Sequence, residues 1–298
     1  MKNEKRQVAL ISVFAAIFLT TFKLGIGWWT NSLGILSEAL HSGLDLVAAV
    51  ITLFAVKMSV KEADSDHHYG HGKIENLSAL AETLLLLITC VWICWEAIHR
   101  LISGNVEIKI SVLSYVVVIT SICIDIWRSR KLMKAAKKFN SQALEADALH
   151  FSTDIWSSSV VLLGLICVTI GKYTGLHWLN YMDSIAALMV ALIVVHVSFK
   201  LSRQAIDSLL DKVPEGVSKN VQAVIKNFPK IKCYHDFKIR QSGHLYYIDV
   251  TIHVECKYLN EAHEIAEDLK DEIRKAQPYS HIMVHYEPDG HHHRYIKK

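Results

Sequence analysis

Two short stretches of this sequence carry ionisable side chains at helical spacing within otherwise apolar runs. Ser37-Glu-Ala-Leu-His-Ser-Gly-Leu-Asp45 holds His41 and Asp45, and Ala146-Asp-Ala-Leu-His-Phe-Ser-Thr-Asp154 holds His150 and Asp154. Each pair is spaced i, i+4, which puts both side chains on one face of a helix. Two such faces packed together offer two imidazoles and two carboxylates. Nitrogen and oxygen donors in a tetrahedral set suit Zn²⁺. Two carboxylates carry a charge of −2 and neutral imidazoles carry none, so the set cancels a divalent cation and removes most of the penalty for holding it away from water. One pair alone could simply be an interhelical hydrogen bond in a bundle. Two matching pairs on separate runs point instead to a site for a transported ion.

The elements that must position these groups are legible in the hydropathy. The chain has 298 residues, 51% of them hydrophobic and 20% charged, against about 25% charged in an ordinary soluble domain. Its mean hydropathy of +0.24 is too high for a typical soluble enzyme and too low for a chain lying wholly in lipid. The arithmetic predicts a membrane domain joined to a water-soluble one. Six apolar runs reach the roughly 20 residues a span requires. They cover residues 8–29, 32–58, 77–101, 110–127, 144–170 and 178–201. The first is too long for a signal peptide and is expected to be a retained span. Twelve Lys and Arg residues fall at the amino terminus, between the second and third runs, and between the fourth and fifth; the opposite side offers only Arg100, Lys109 and Lys172. The positive-inside rule then puts both termini in the cytoplasm.

After Leu201 the pattern changes. A segment of helical period covers 215–228, an extended stretch covers 231–241, and Ser242-Gly243 marks a turn. Tyr246, Ile248, Val250, Ile252 and Val254 alternate with polar residues, as in a half-buried strand. Asn260 is the expected cap of a helix reaching Ala276, and Ile282, Val284 and Tyr286 alternate along a last strand. The expected fold is a six-helix transmembrane bundle (1–208) plus a C-terminal α+β domain of order α-β-β-α-β (209–290), with a His-rich tail (291–298). The net charge of +3 argues against nucleic acid as a partner, and six scattered cysteines argue against a disulfide framework.

Lys23, Glu38, Glu82 and Asp125 also fall inside the runs, where they are expected to snorkel or line a cavity. Asp147 is expected to be a hydrated charge near a span end. An enzyme or a metal sensor is the rival class. His263 and Glu264 open a His-Glu-x-x-His pattern that Glu267 closes off, and no other motif supplies a metal with an open position and a general base.

With these features together, the chain resembles the cation diffusion facilitator family, and most of all its bacterial zinc and ferrous-iron efflux branch. The resemblance rests on the six runs, the paired His/Asp positions, Asn31-Ser32-Leu-Gly-Ile-Leu, His67-His-Tyr-Gly-His71-Gly-Lys73 and Gln204-Ala-Ile-Asp-Ser-Leu-Leu-Asp211. It implies export of divalent metal in exchange for protons, by alternating access, from a homodimer in the bacterial inner membrane with a metallochaperone-like cytoplasmic domain. It also implies a loop metal site at Asp64, His67 and His71, and a cytoplasmic-domain site at His235, His253, His263, His285 and Glu287. Lys73 is implied to lie near Asp211. That branch has Asp where this chain has His41. Nitrogen in place of oxygen biases the centre toward Zn²⁺ and Co²⁺ and away from harder ions such as Mn²⁺. Fe²⁺, Cd²⁺ and Co²⁺ stand as the alternative cargoes.

Overall fold

The computed structural model describes residues 2–30, 33–103, 112–174, 182–213 and 216–289. Asn31, Ser32, residues 110–111 and 178–181 of the expected spans, and the tail histidines His291, His292 and His293 lie outside them. The chain divides into two compact units, Met1–Ile206 and Asp207–Lys298.

The first unit is helical: α1 (Lys2–Thr30), α2 (Leu33–Ser59), α3 (Ile74–Ser103), α4 (Val112–Phe139), α5 (Gln142–Thr174) and α6 (Met182–Leu209). Among the described residues, Asn3–Thr30, Glu38–Ser59, Ile74–Trp92 and Val112–Phe139 are long and apolar enough to cross a membrane. The packing is the reverse of a soluble bundle. Phe14, Trp28, Trp29, Leu40, Phe54 and Ile88 are exposed, while many small and polar residues are buried in the interior beside Leu86, Leu132, Leu144 and Phe151. Along α2 the buried stripe runs Ala39, Ser42, Asp45, Ala48, Ala49, Thr52, Ala55, in steps of three broken once by the adjacent Ala48 and Ala49. Small side chains let helix backbones approach in lipid, where burial of apolar surface gives no drive. Gly27 shows the same constraint, since a Cβ there would lie 3.0 Å from the Leu36 side chain.

Helix α4 continues twelve residues past the expected end at Trp127. Hydropathy stops at the first lysines, but Leu132, Ala135, Ala136 and Phe139 keep an apolar stripe going. That stripe packs on Ala143, Leu144, Ala148 and Phe151 of α5. Asn140, at φ 48°, makes the tight connection between the two helices. Cys90 packs with Leu86 against Ala191 and Val194 of α6 and donates its thiol to the Ala191 carbonyl at 3.1 Å, consistent with a packing role.

The second unit runs α7 (Val217–Asn227), β1 (Cys233–Ser242), β2 (Leu245–Val254), α8 (Leu259–Ala276) and β3 (Ser280–Pro288), the expected order. The sheet order is β1-β2-β3, antiparallel then parallel. Gly243, at φ 59°, opens the two-residue hairpin turn, a position that favours glycine. Val221 and Ile225 of α7 and Ile265, Leu269 and Ile273 of α8 close over Ile248, Val250 and Ile252 of β2. Helix α8 begins at Leu259 with Tyr258 at its N-cap, so Asn260 is not the cap. Instead Glu261 reaches back and accepts a hydrogen bond from the Lys257 backbone N–H at 3.2 Å.

Leu269 is fully buried at the centre of this core. Leu269→Ala is expected to cost the domain about 2–5 kcal/mol, read in the full chain as an earlier urea transition of the C-terminal domain with the signal of the long helices unchanged.

Candidate metal centre

Helices α2 and α5 bring the two His/Asp pairs together. His150 Nε2 lies 3.2 Å from Asp45 Oδ1 and 3.6 Å from Asp154 Oδ2. His41 Nε2 lies 3.9 Å from Asp154 Oδ1. Donor atoms of His41, Asp45 and Asp154 all lie within 4.8 Å of one another. His150 and Asp45 are buried, and His41 is half-buried at the rim. Asp154 Oδ2 and His150 Nδ1 are buried without a hydrogen-bond partner. Two carboxylates whose ion-pair partners among the described residues are imidazoles, one of them with an oxygen left unbonded, form an electron-rich hollow suited to a small cation. Donors about 2.0–2.2 Å from one ion in a tetrahedral array stand about 3.3–3.6 Å apart, close to the 3.2 and 3.6 Å from His150 to Asp45 and Asp154 and a little less than the 3.9 Å from His41 to Asp154.

Around the centre the polar residues are tied to one another. Lys23 Nζ donates to Ser42 Oγ at 2.8 Å and approaches Glu38 at 3.3 Å. Arg128, 2% exposed, lies over the Phe151 ring at 3.5 Å, approaches Asp125 at 3.4 Å and donates to Ser12 Oγ at 3.1 Å. Ser12 Oγ donates in turn to Asp147 at 3.3 Å. Asp147 is therefore not the hydrated charge its place near a span end suggests: it is 0% exposed. The i, i+3 spacing of Asp125 and Arg128 is the signal in the sequence that the two side chains pair on one face of α4. Lower in the bundle, Glu75 accepts from Lys5, from Ser59 at 2.7 Å and from Ser141 at 2.5 Å. Asn76 donates to Gln142 at 2.8 Å. One carboxylate thus joins α1, α2, α3 and the α4–α5 turn.

The connection between α2 and α3 brings Asp64, His67 and His71 together. His67 Nδ1 lies 3.3 Å and His71 Nε2 3.6 Å from the Asp64 carboxylate, and the two rings lie 4.4 Å apart. Gly70, at φ 71° and with the Lys61 carbonyl 3.4 Å from where a Cβ would stand, lets the loop fold back. Lys61 Nζ holds Asp64 Oδ2 at 2.7 Å. That hydrogen bond, with backbone N–H groups of His67 and Asp66, keeps the Asp64 carboxyl well below the usual carboxylate range.

In the second unit His235, His253 and Glu287 converge. Glu287 Oε2 lies 3.8 Å from His235 Nε2 and 3.9 Å from His253 Nε2, and is buried without a hydrogen-bond partner. His285, mostly exposed, approaches the other Glu287 oxygen at 3.4 Å. His253 pairs with Glu287 across β2 and β3, so both share a face. His235 joins them through a bulge. It pairs with Thr251, whereas Lys238 pairs with Asp249, leaving Asp236 and Phe237 opposite Val250. Without the extra residue His235 would face Ile252 and the core. Asp236, at φ 49°, adopts the left-handed backbone that Asp tolerates better than most residues. His263 is not brought to this cluster; it is exposed on α8, beside the buried stripe of Ala262, Ile265 and Ala266. Asp211 lies 4.0 Å from Arg240.

A lipid-facing helical unit built around a carboxylate–imidazole hollow, followed by a small α+β domain with its own donor cluster, is the architecture of a metal-ion transporter. Residues 9–210 match the cation efflux transmembrane domain, and residues 201–289 match the cytoplasmic domain of cation efflux proteins. The chain belongs to the cation efflux, or cation diffusion facilitator, family, and is an integral membrane exporter of divalent metal cations with a C-terminal cytoplasmic domain. The cation-efflux pump FieF of Salmonella arizonae is 27% identical over 302 residues, which cover 98% of this chain and 95% of that protein. The manganese efflux system protein MneP of Bacillus subtilis is 30% identical over 286 residues, covering 95% and 96%. The metal-bound C-terminal domain of the CzcD transporter from Thermotoga maritima is 28% identical, with 26% of this chain and 92% of that one aligned and a TM-score of 0.25.

Lys61 Nζ occupies Asp64 Oδ2, the oxygen that faces His71 Nε2 at 3.6 Å, and so competes for it with any cation at the loop. Lys61→Ala is expected to tighten zinc binding at the loop about two- to five-fold, the worth of an exposed ion pair, measured by calorimetry on a variant whose transport centre is disabled.

Proposed function

We propose that this transporter prefers Zn²⁺ and exchanges it for protons, working by alternating access as a homodimer in the bacterial inner membrane with both termini in the cytoplasm. His41, Asp45, His150 and Asp154 are the transport ligands. The carrying observation is that a chain of contacts of 3.2–3.9 Å links two imidazoles and two carboxylates from α2 and α5. Metal binding requires neutral imidazole, so protons and zinc compete for the same lone pairs. Protonation on the outer side helps release, and deprotonation on the inner side restores affinity. The loop cluster of Asp64, His67 and His71 is a second, more exchangeable zinc site. The cytoplasmic cluster of His235, His253, His285 and Glu287 is a structural or regulatory one, leaving His263 outside the set within one protomer. The domain division at 208 and the His-rich tail from 291 belong to the same reading.

A second reading, with Mn²⁺ as cargo, takes its support from the likeness to MneP, named for manganese efflux. Against it stands His41, because a second nitrogen donor favours zinc over manganese. Fe²⁺, Cd²⁺ and Co²⁺ remain the other cargoes to compare.

In proteoliposomes, Asp45→Ala and Asp154→Ala are each expected to lower Zn²⁺ flux by more than about a hundredfold, with the purified variants still folded; flux surviving both substitutions would remove the centre from its role. Wild-type flux compared across Zn²⁺, Mn²⁺, Fe²⁺ and Cd²⁺, with and without a pH gradient, should rank Zn²⁺ first, and His41→Asp should narrow the zinc-to-manganese ratio. Manganese flux equal to zinc flux in the wild type would favour the second reading.

A further inference from the structure

Lys23 of α1 is a buried cation, 4% exposed, that supplies no donor to the metal centre. Its Nζ donates to Ser42 Oγ at 2.8 Å and approaches Glu38 Oε2 at 3.3 Å. One turn earlier on α1, Thr20 Oγ1 donates to the Ser42 carbonyl at 2.9 Å. Two side chains of α1 thus hold one residue of α2 at its hydroxyl and at its carbonyl. Ser42 is bonded to His41 and stands one turn before Asp45. The clamp therefore grips the turn of α2 that carries both of its donors to the centre.

The ion pair is lopsided in place and in exposure. Glu38, Ser42 and Asp45 are spaced four and three apart and share a face of α2. At about 1.5 Å per residue, Ser42 lies about 4.5 Å and Glu38 about 10 Å from Asp45 along the helix axis. Side chains on a helix lean toward its amino terminus, so the Glu38 carboxylate points away from Asp45. The ammonium on Ser42 is the end of the pair nearer the centre. It is also the buried end, with its side chain 5% exposed against 39% for Glu38. Water screens the charge of Glu38 and leaves that of Lys23 acting on the interior. Arg128 and Asp125 differ, because both their side chains are buried, at 1% and 9%, and their charges offset each other in place.

We propose that Lys23 sets the grip of the transport centre. Its positive charge, held beside the ligand-bearing turn of α2, opposes a dication bound by His41, Asp45, His150 and Asp154 and keeps that ion loosely enough held to leave. Two carboxylates and two imidazoles in a water-poor interior would otherwise hold a dication tightly, whereas transport needs an ion that enters readily and also departs. Lys23 is not a ligand; it acts across space on the ion. Glu38 moderates it, drawing the ammonium away from Asp45. This inference rests on the reading of those four residues as the transport ligands.

The test is zinc flux by the full-length protein in proteoliposomes, read as the zinc concentration that gives half-maximal rate. Lys23→Met keeps the length of the side chain and removes its charge, and is expected to lower that concentration about tenfold. Glu38→Gln leaves the ammonium without its counter-charge and is expected to raise it about two- to fivefold, the worth of a partly exposed ion pair. Both substitutions break the same ion pair between α1 and α2, so a contact that only fastened the helices would shift both variants the same way. Any pattern other than a fall in Lys23→Met and a rise in Glu38→Gln overturns the proposal and leaves the transport reading standing. An absence of zinc flux in the wild type overturns both. Should Lys23→Met fail to fold, Glu38→Gln is compared with Thr20→Val, which breaks the neighbouring hydrogen bond without touching a charge. A rise in Glu38→Gln alone supports the proposal, and equal values in the two variants overturn it.

Discussion

The cost of an ionised carboxylate away from water governs how this bundle is built. An Asp at mid-span carries a penalty of about 2.5–3.5 kcal/mol on insertion scales. Asp45, Asp125, Asp147, Glu75 and Glu82 all have side chains in the interior. Three are met by fixed cations or relays of them: Lys5 for Glu75, Arg128 for Asp125, and Arg128 through Ser12 for Asp147. The ion-pair partner of Asp45 among the described residues is an imidazole, which can be charged, neutral or displaced. The distinction separates structural from working charge. Permanent partners fasten helices, and exchangeable partners leave room for a dication.

The small residues along α1 and α2 serve the same end. Interior alanines and serines bring backbones close enough for short polar side chains to reach across, as Ser12 does to Asp147 and Ser59 to Glu75. A wider bundle would leave those hydroxyls short of their acceptors and the carboxylates unsatisfied. Close packing and polar satisfaction are therefore one constraint, with many large apolar side chains turned outward and others, such as Leu132, Leu144 and Phe151, kept for the α4–α5 contact.

How much of this could be read from the sequence depended on whether the governing contacts were local. The i, i+4 spacing shows that each His/Asp pair shares a helix face, and the alternation of β2 shows which of its side chains enter the core. Spacing does not show how two faces meet, nor that Asp147, near a span end, is covered by α1 and α4. Hydropathy ended the fourth span at Trp127 because it averages over all faces, whereas the stripe from Leu132 to Phe139 covers one. The bulge at Asp236 escapes period-two reasoning, which assumes an unbroken register. Asn260 has the chemistry of a cap, yet the chain turns into α8 at Tyr258, where Glu261 serves the free N–H of Lys257.

The overhang of α4 bears on how the protein meets bilayers of different thickness. At about 1.5 Å per residue, its 28 residues span about 42 Å, against about 30 Å of hydrocarbon. Its final turns are clothed by α5 on their apolar side and studded with lysines on the other. Thickening or thinning the acyl layer there uncovers no greasy surface, because that stripe is already matched to protein. Lys131, Lys134, Lys137 and Lys138 are exposed along those turns, so lipid headgroup charge, rather than chain length, is the property of the bilayer to which this end of the helix is built to respond.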